Sequence, residues 1–313
     1  MVPSSLRFAF AFSACAAFSI ARAQQPAAPI ERARLFQSTP NSISSSINAD
    51  GTALAEDDAE ASSDDSLGTQ VILKQRERVP TFVLAGDACI LYTDNAALSQ
   101  HDKIDDLFFI TNAGISWTPR INQRLEAQVA AHTSIFRYNS LSTLDFENLG
   151  LGAALFWNPE HFWDVALFAR YDFIELLDRH SEEILRDHEF TIGAQKVFAV
   201  GRSQTLTIGA TAMGGIAHPS SAQRQQLGFF AGYHWQIARD LEADLFYRLS
   251  GYFYDRADRM DCNQVVSASV RYRFSRYADL NSFVSFGGNR SDTSNFDYNV
   301  VTAGAGIGLA VHF

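Results

Sequence analysis

The sequence predicts an all-β protein: a transmembrane antiparallel up-and-down β-barrel of about twelve strands, preceded by a leader and a linker. Three observations carry that reading. After Pro80 the chain runs to its end in segments that alternate apolar with small or polar residues. Nearly every segment has an aromatic at one or both ends of its apolar face, where a membrane boundary favours Trp and Tyr. The links between segments alternate short and long and keep phase to the last residue.

Composition bounds the reading without deciding it. The chain has 313 residues, a formal net charge of -10, 47% hydrophobic residues, 25 Phe, 10 Tyr and 3 Cys. No run of about 18 apolar residues exists beyond the N-terminus, which excludes a helical membrane protein. A mean hydropathy near zero does not argue for solubility, because a barrel hides its membrane face by alternation and the average cancels. The acidic balance, with no basic cluster, speaks against nucleic acid as a partner. Cys15 falls in the leader, and Cys89 with Cys262 make neither a disulfide framework nor a metal site. No cofactor and no metal are expected.

Residues 1–23 carry a lone Arg7, an apolar stretch from Phe8 to Ile20, and Ala21-Arg22-Ala23 before Gln24. This is the pattern of a secretory signal peptide cleaved after Ala23. Lipidation at Cys15 is the weaker reading, since the apolar run continues past it. From 24 to 78 nothing is periodic, and Glu56, Asp57, Asp58, Glu60, Asp64 and Asp65 lie among Ala and Ser. Such a stretch cannot bury enough surface to order itself, so it reads as a disordered acidic periplasmic linker, with a partner-binding tail as the alternative.

The barrel occupies 79–313. Its first segment, Thr81 to Thr93, turns out Phe82, Leu84, Ala88, Ile90 and Tyr92. The second turns out Leu107, Phe109, Ala113, Ile115 and Trp117, and the third sets Leu125, Ala127, Val129, Ala131 and Ile135 against Glu126, Gln128, His132 and Ser134. Leu149 to Trp157 and Trp163 to Phe173 follow, the latter placing Asp164, Arg170 and Asp172 opposite its apolar face. Segments 190–198, 205–213, 227–237, 241–253, 265–274 and 280–286 then precede the closing one. A single segment of this kind suits a soluble sandwich; the full succession with aromatic ends favours lipid. Short links at 118–122, 158–162, 199–202, 238–240 and 275–277 alternate with longer polar ones at 94–106, 139–147, 177–188, 214–225, 254–263 and 287–296. Short inner turns and long outer loops in that phase put both barrel ends on the inner side.

The last strand carries Val301, Ala303, Ala305, Ile307, Leu309, Val311 and Phe313 on one face, and Thr302, Gly304, Gly306, Gly308, Ala310 and His312 on the other. Ending on an aromatic after apolar residues at every second position resembles the closing strand of bacterial outer-membrane β-barrels. That resemblance implies an outer-membrane location, outer-membrane lipids as surroundings, and a barrel assembly machinery that reads Phe313, Val311 and Leu309. The three glycines are expected to form a lumen stripe beside the first strand.

On the inward face, Arg271 and Arg273 are flanked in antiparallel order by Glu242 and Asp244 on one side and Asp279 on the other. Cross-strand reach makes this an expected ion-pair network, either as lumen packing or as a selectivity zone. Asp87, Glu126, Asp164, Asp172 and Glu189, against Arg170 and Arg248, leave the predicted interior net negative, so a conducting barrel would prefer cations. About twelve strands enclose less space than a general porin, which disfavours a wide pore. Inward glycines leave room for water or for Phe108, Phe156, Phe168, Phe230 and Phe246, and the sequence leaves that choice open. His132 and Ser134 resemble the His-x-Ser arrangement of the outer-membrane phospholipase, but that enzyme works from the lipid-facing wall and the alternation here turns both inward. The expectation is a protein without catalysis. Asp178, His180, Glu182, Glu183, Asp187 and His188 show no metal-ligand spacing and read as a solvated loop.

Tyr92-Thr93-Asp94-Asn95-Ala96-Ala97-Leu98, Asp105-Asp106-Leu107-Phe108-Phe109, and Phe136-Arg137-Tyr138-Asn139-Ser140 with 144–149 resemble the opening of the β-barrel porin 2 type of outer-membrane proteins. In that group Tyr-x-Asp-Asn ends the first strand, an Asp-Asp pair starts the second and Arg-Tyr leads into an outer loop. The resemblance implies location and architecture, with a role near exopolysaccharide export as one association, and no catalytic residues. The expected function is a narrow porin-like channel for passive passage of small ions or solutes. A non-conducting structural or export-accessory barrel is the alternative, and a lipid hydrolase is more distant.

Overall fold

The computed structural model describes residues 27–37 and 81–313, apart from 161, 255 and 257. The expected signal peptide, residues 24–26 and 38–78 of the expected linker, and residues 79–80 lie outside the described residues. Twelve strands follow in order: β1 (Phe82–Thr93), β2 (Asp106–Trp117), β3 (Leu125–Tyr138), β4 (Phe146–Trp157), β5 (Val165–Asp178), β6 (Glu183–Gly201), β7 (Gln204–His218), β8 (Gln225–Ala238), β9 (Leu241–Tyr254), β10 (Arg259–Ser275), β11 (Ala278–Ser291) and β12 (Tyr298–His312). Each pairs antiparallel with its neighbours in sequence, and β12 pairs with β1 to close the barrel. Closure leaves no strand edge unpaired, which is what a sheet in lipid requires.

The period-two pattern settles which face is which. On β1, Leu84, Ile90 and Tyr92 are exposed while Asp87, Cys89, Leu91 and Thr93 are buried. The same phase runs through the wall to β12, where Leu309 and Phe313 are exposed and Val300 and Thr302 buried. An apolar belt exposed on this scale belongs in lipid. All four tryptophans, Trp117, Trp157, Trp163 and Trp235, are exposed at the rim that holds the start of β1 and the end of β12, marking the inner membrane boundary.

Closure depends on the glycine stripe. Gly308, Gly306 and Gly304 sit opposite Asp87, Cys89 and Leu91 of β1. A Cβ on Gly306 would overlap Cys89 Sγ and the Ala88 carbonyl oxygen, and one on Gly304 would overlap Leu91 and the Ile90 carbonyl oxygen. Side chains of β1 therefore lean across β12 toward β11, as Cys89 Sγ does at 3.8 Å from Asn281 Oδ1. The chain ends at the rim, where Thr81 N donates to the Phe313 carbonyl at 3.0 Å and Phe313 N to that of Phe82 at 2.9 Å.

Three expectations need correction. The outer links are shorter than polarity suggests: 177–188 contracts to a turn at 179–182, because backbone pairing continues above the apolar belt whatever the side chains are. Asp178 Oδ1 tightens that turn by accepting from the His180 and Glu182 N–H groups, each at 2.8 Å. At the inner side, Trp163 and Asp164 both hold left-handed backbone (φ 52 and 56) in a turn, so β5 begins at Val165 and Asp164 is an exposed turn residue rather than a lumen acid.

The third correction is the largest. Within the stretch expected to be a disordered linker, residues Ala27–Gln37 form a helix, α1, inside the barrel. Its sequence, AAPIERARLFQ, is rich in helix formers and places Pro29 in the first turn, where its missing N–H costs nothing. No amphipathic stripe advertises it, because Ala28, Pro29, Ile30, Arg32, Ala33, Arg34 and Leu35 are all buried against wall or loops.

Candidate functional site in the barrel lumen

The lumen divides into two halves of different chemistry. In the inner half, register places Arg271 beside Glu242 of β9 and Asn281 of β11. Its Nη1 lies 3.0 Å from Glu242 Oε1 and its Nε 3.9 Å from Asp279 Oδ1, and Arg273 Nη2 reaches the same Glu242 oxygen at 3.9 Å. These four residues form the expected network. Asp244 does not join it: same-face neighbours on a strand stand about 7 Å apart, so Asp244 faces Ser269 and His234 and takes His234 Nδ1 at 2.8 Å.

Other predicted acids stand around the same half. Asp87 accepts from Asn112 Nδ2 at 2.8 Å, Asp172 from Arg170 Nε at 2.6 Å, and Glu126 is half-buried near the rim. With Glu189, paired with Asp172 across β5–β6, and Arg248, whose Nη2 donates to Asn263 Oδ1 at 3.1 Å, seven carboxylates (Asp87, Glu126, Asp172, Glu189, Glu242, Asp244, Asp279) share this wall with four guanidiniums (Arg170, Arg248, Arg271, Arg273), a surplus of three negative charges. Glu189 also reaches toward the outer half, 3.5 Å from Arg224. Space opened by Gly193 and Gly209 is taken by the rings of Phe168 and Phe230, and Phe156–Phe168 and Phe230–Phe246 approach to 6.0 and 6.4 Å between centroids.

The outer half is filled by α1, whose eleven residues span about 16 Å. Its N-terminal end, at Ala28 and Glu31, lies among Leu98, Arg259, Asp261 and Phe296 at the outer mouth. Its other end points inward, where the Phe36 ring meets Phe136, Phe108 and Phe283 at 5.5, 5.9 and 6.4 Å. Ile30, Ala33 and Phe36 complete an apolar core with Leu91, Phe108, Phe136, Phe146, Ile174, Leu176 and Leu185.

Polar clasps hold the helix in place. Arg32, 1% exposed, donates through Nη2 to the carbonyls of Asn95 (2.6 Å) and Ala96 (3.1 Å), and through Nη1 to the hydroxyls of Thr93 (3.3 Å) and Thr302 (3.4 Å). Arg34 Nη2 binds Asp187 Oδ2 at 3.2 Å and the Ala222 carbonyl at 3.0 Å. Tyr254 donates to Glu31 at 3.3 Å. Beside them Arg224 stacks on Tyr252 at 4.3 Å, and Arg259 lies over Tyr254 and Phe296 at 3.9 and 3.7 Å. Burial opposes the charge on Arg224, but Tyr252, Tyr254, Glu189 and Glu31 outweigh it and its pKa is raised.

None of α1's contacts was visible in the sequence as a site. The nearest signal was the pair Arg32 and Arg34 within a helix-forming run. The motif residues at the strand ends prove to be loop anchors: Asn95 Oδ1 accepts from Ser99 N at 3.0 Å, and Asp106 accepts from the N–H groups of Ser140 and Leu141 at 3.0 and 2.9 Å. His132 and Ser134 both face the lumen; the His132 ring lies over Gly150, and no hydrogen bond joins the two among the described residues. The acidic and histidine cluster separates, with Asp187 turned inward to Arg34 and His188 bound to Tyr171 at 2.8 Å.

No protein-family model and no curated protein matches the sequence. Among solved structures, an outer-membrane channel from Pseudomonas putida F1 covers 75% of this chain and 96% of its own, with a TM-score of 0.51 and 9% identity. The outer-membrane channel DcaP of Acinetobacter baumannii covers 74% and 96% at a TM-score of 0.42 and 10% identity. An anion-selective porin from Comamonas acidovorans covers 74% and 99% at 0.40 and 9%. The first likeness is one of fold. Joined to the exposed apolar belt, it gives this chain the fold of outer-membrane β-barrels.

Proposed function

We propose that the barrel is a narrow porin-like channel for small cations, closed at its outer mouth by its own helix α1. The observation that carries the reading is the contrast between the halves: a polar, net-negative inner vestibule beneath a mouth filled by a separate helix rather than by the wall itself. A ring of surplus carboxylates favours cations, and a plug held by side-chain clasps can leave without breaking a strand pair. The partners that follow are small ions or solutes, the surrounding lipids, and an assembly machinery that reads Phe313; no catalytic step is assigned. Kinship with the β-barrel porin 2 type, through the loop anchors Asn95 and Asp106, is part of this reading.

The test is single-channel recording on the full-length protein in a salt gradient. Rare, brief steps with a cation-selective reversal potential are expected, and Glu242→Gln with Asp279→Asn lowers the selectivity. Absence of steps even in variants with a weakened helix would sink the channel reading. It would favour a non-conducting structural or export-accessory barrel, the second reading, which the filled outer mouth supports.

A further inference from the structure

Arg32 is a fully buried charge that no carboxylate pairs with among the described residues. Burying a cation among neutral groups is costly unless its hydrogen bonds are met in full. Here the buried Nε has no hydrogen-bond partner among the described residues, while the two terminal nitrogens are met by an arrangement matched to a planar, forked donor: two successive loop carbonyls for one nitrogen, two hydroxyls for the other, and the Phe108 ring 5.8 Å from the guanidinium carbon. Thr93 and Thr302 are directly paired across the β1–β12 closure, so their hydroxyls stand side by side whether or not a helix is present. Asn95 is pinned independently, its side chain donating to the carbonyls of Ser99 (2.7 Å) and Asn299 (3.0 Å). A second guanidinium position lies beside Asp187 and the Ala222 carbonyl. Every one of these acceptors belongs to wall or outer loops, not to the helix that uses them.

We propose that the outer mouth is a recognition site for guanidinium-bearing small cations, of the chemical class of arginine, and that Arg32 and Arg34 of α1 occupy it as internal surrogates. The proposal rests on the channel reading for its physiological sense, since such a cation would enter where the helix sits. A simple ammonium cannot satisfy the fork at the Arg32 position, which makes the site selective by geometry as well as charge.

The test uses the full-length protein with Ala33→Cys as reporter in a Cys262→Ser background, labelled by a membrane-impermeant maleimide. Methylguanidinium at about 10 mM is compared with methylammonium at equal ionic strength. In Arg32→Ala the vacated cavity takes methylguanidinium with the helix in place, so labelling slows several-fold. In Phe36→Ala, which retains Arg32 but loosens the helix, the same cation competes for the empty mouth, so labelling accelerates. Adding Thr93→Val and Thr302→Val abolishes both effects, and methylammonium gives neither. Equal action of the two cations, or persistence of either effect without the hydroxyls, would overturn the assignment. Should Arg32→Ala fail to fold, Arg34→Ala with and without Asp187→Asn provides the same comparison at the second position. No current is read, so a barrel that never conducts would refute the channel and leave this outcome legible.

Discussion

Phe36 is the contact on which closure of the lumen depends most. Its ring is the deepest part of α1 and makes three edge contacts with wall rings at 5.5 to 6.4 Å. Truncation of a packed Phe to Ala costs about 3–5 kcal/mol, of which each ring pair accounts for about 0.5–1.5. Phe36 is only partly buried, so the lower end applies, and at 1.4 kcal/mol per factor of ten about 3 kcal/mol shifts the equilibrium between seated and withdrawn helix roughly a hundredfold. The barrel wall loses no strand pair, so the barrel itself should survive. Labelling of Ala33→Cys, which is buried when the helix is seated, reads that equilibrium directly. A rise of about two orders of magnitude in labelling rate is expected in Phe36→Ala over the parent. A change below about threefold, with the barrel intact by heat-modifiable gel migration, would show that the ring contacts do not hold the helix.

Other expectations follow from neighbouring contacts. Arg34→Ala leaves Asp187 buried without that partner and should lower unfolding stability or helix seating by about 3 kcal/mol, with Asp187→Asn in the same chain restoring part of it in a double-mutant cycle. Gly306→Val drives a side chain into Cys89 and the Ala88 carbonyl, so heat-modifiable folded barrel should be lost, while Gly214→Val, where a Cβ meets nothing within 4 Å, should assemble normally. Replacing Phe313 by Glu should impair membrane insertion more than conduction, and normal insertion of that variant would contradict its assembly role. Glu242→Gln leaves Arg271 with Asp279 at 3.9 Å as its remaining carboxylate partner among the described residues and should shift ion preference toward anions, read as a changed reversal potential.

What the sequence determined by itself was the wall. Strand identity, lipid phase and closure by β12 are local matters of period two, and tight inner turns then set the register that brings Glu242, Arg271 and Asp279 together. The same logic misassigned Asp164, because a turn with two left-handed residues leaves no periodic mark, and it gave Asp244 an arginine where the register offered His234. The contents of the barrel were decided only by tertiary structure. A helix buried on every side needs no polar face, so 27–37 carries no stripe to distinguish it from the acidic stretch that follows. The partners of its arginines lie 61, 153 and 270 residues away in sequence. Only a closed wall brings Thr93 and Thr302 side by side to receive Arg32.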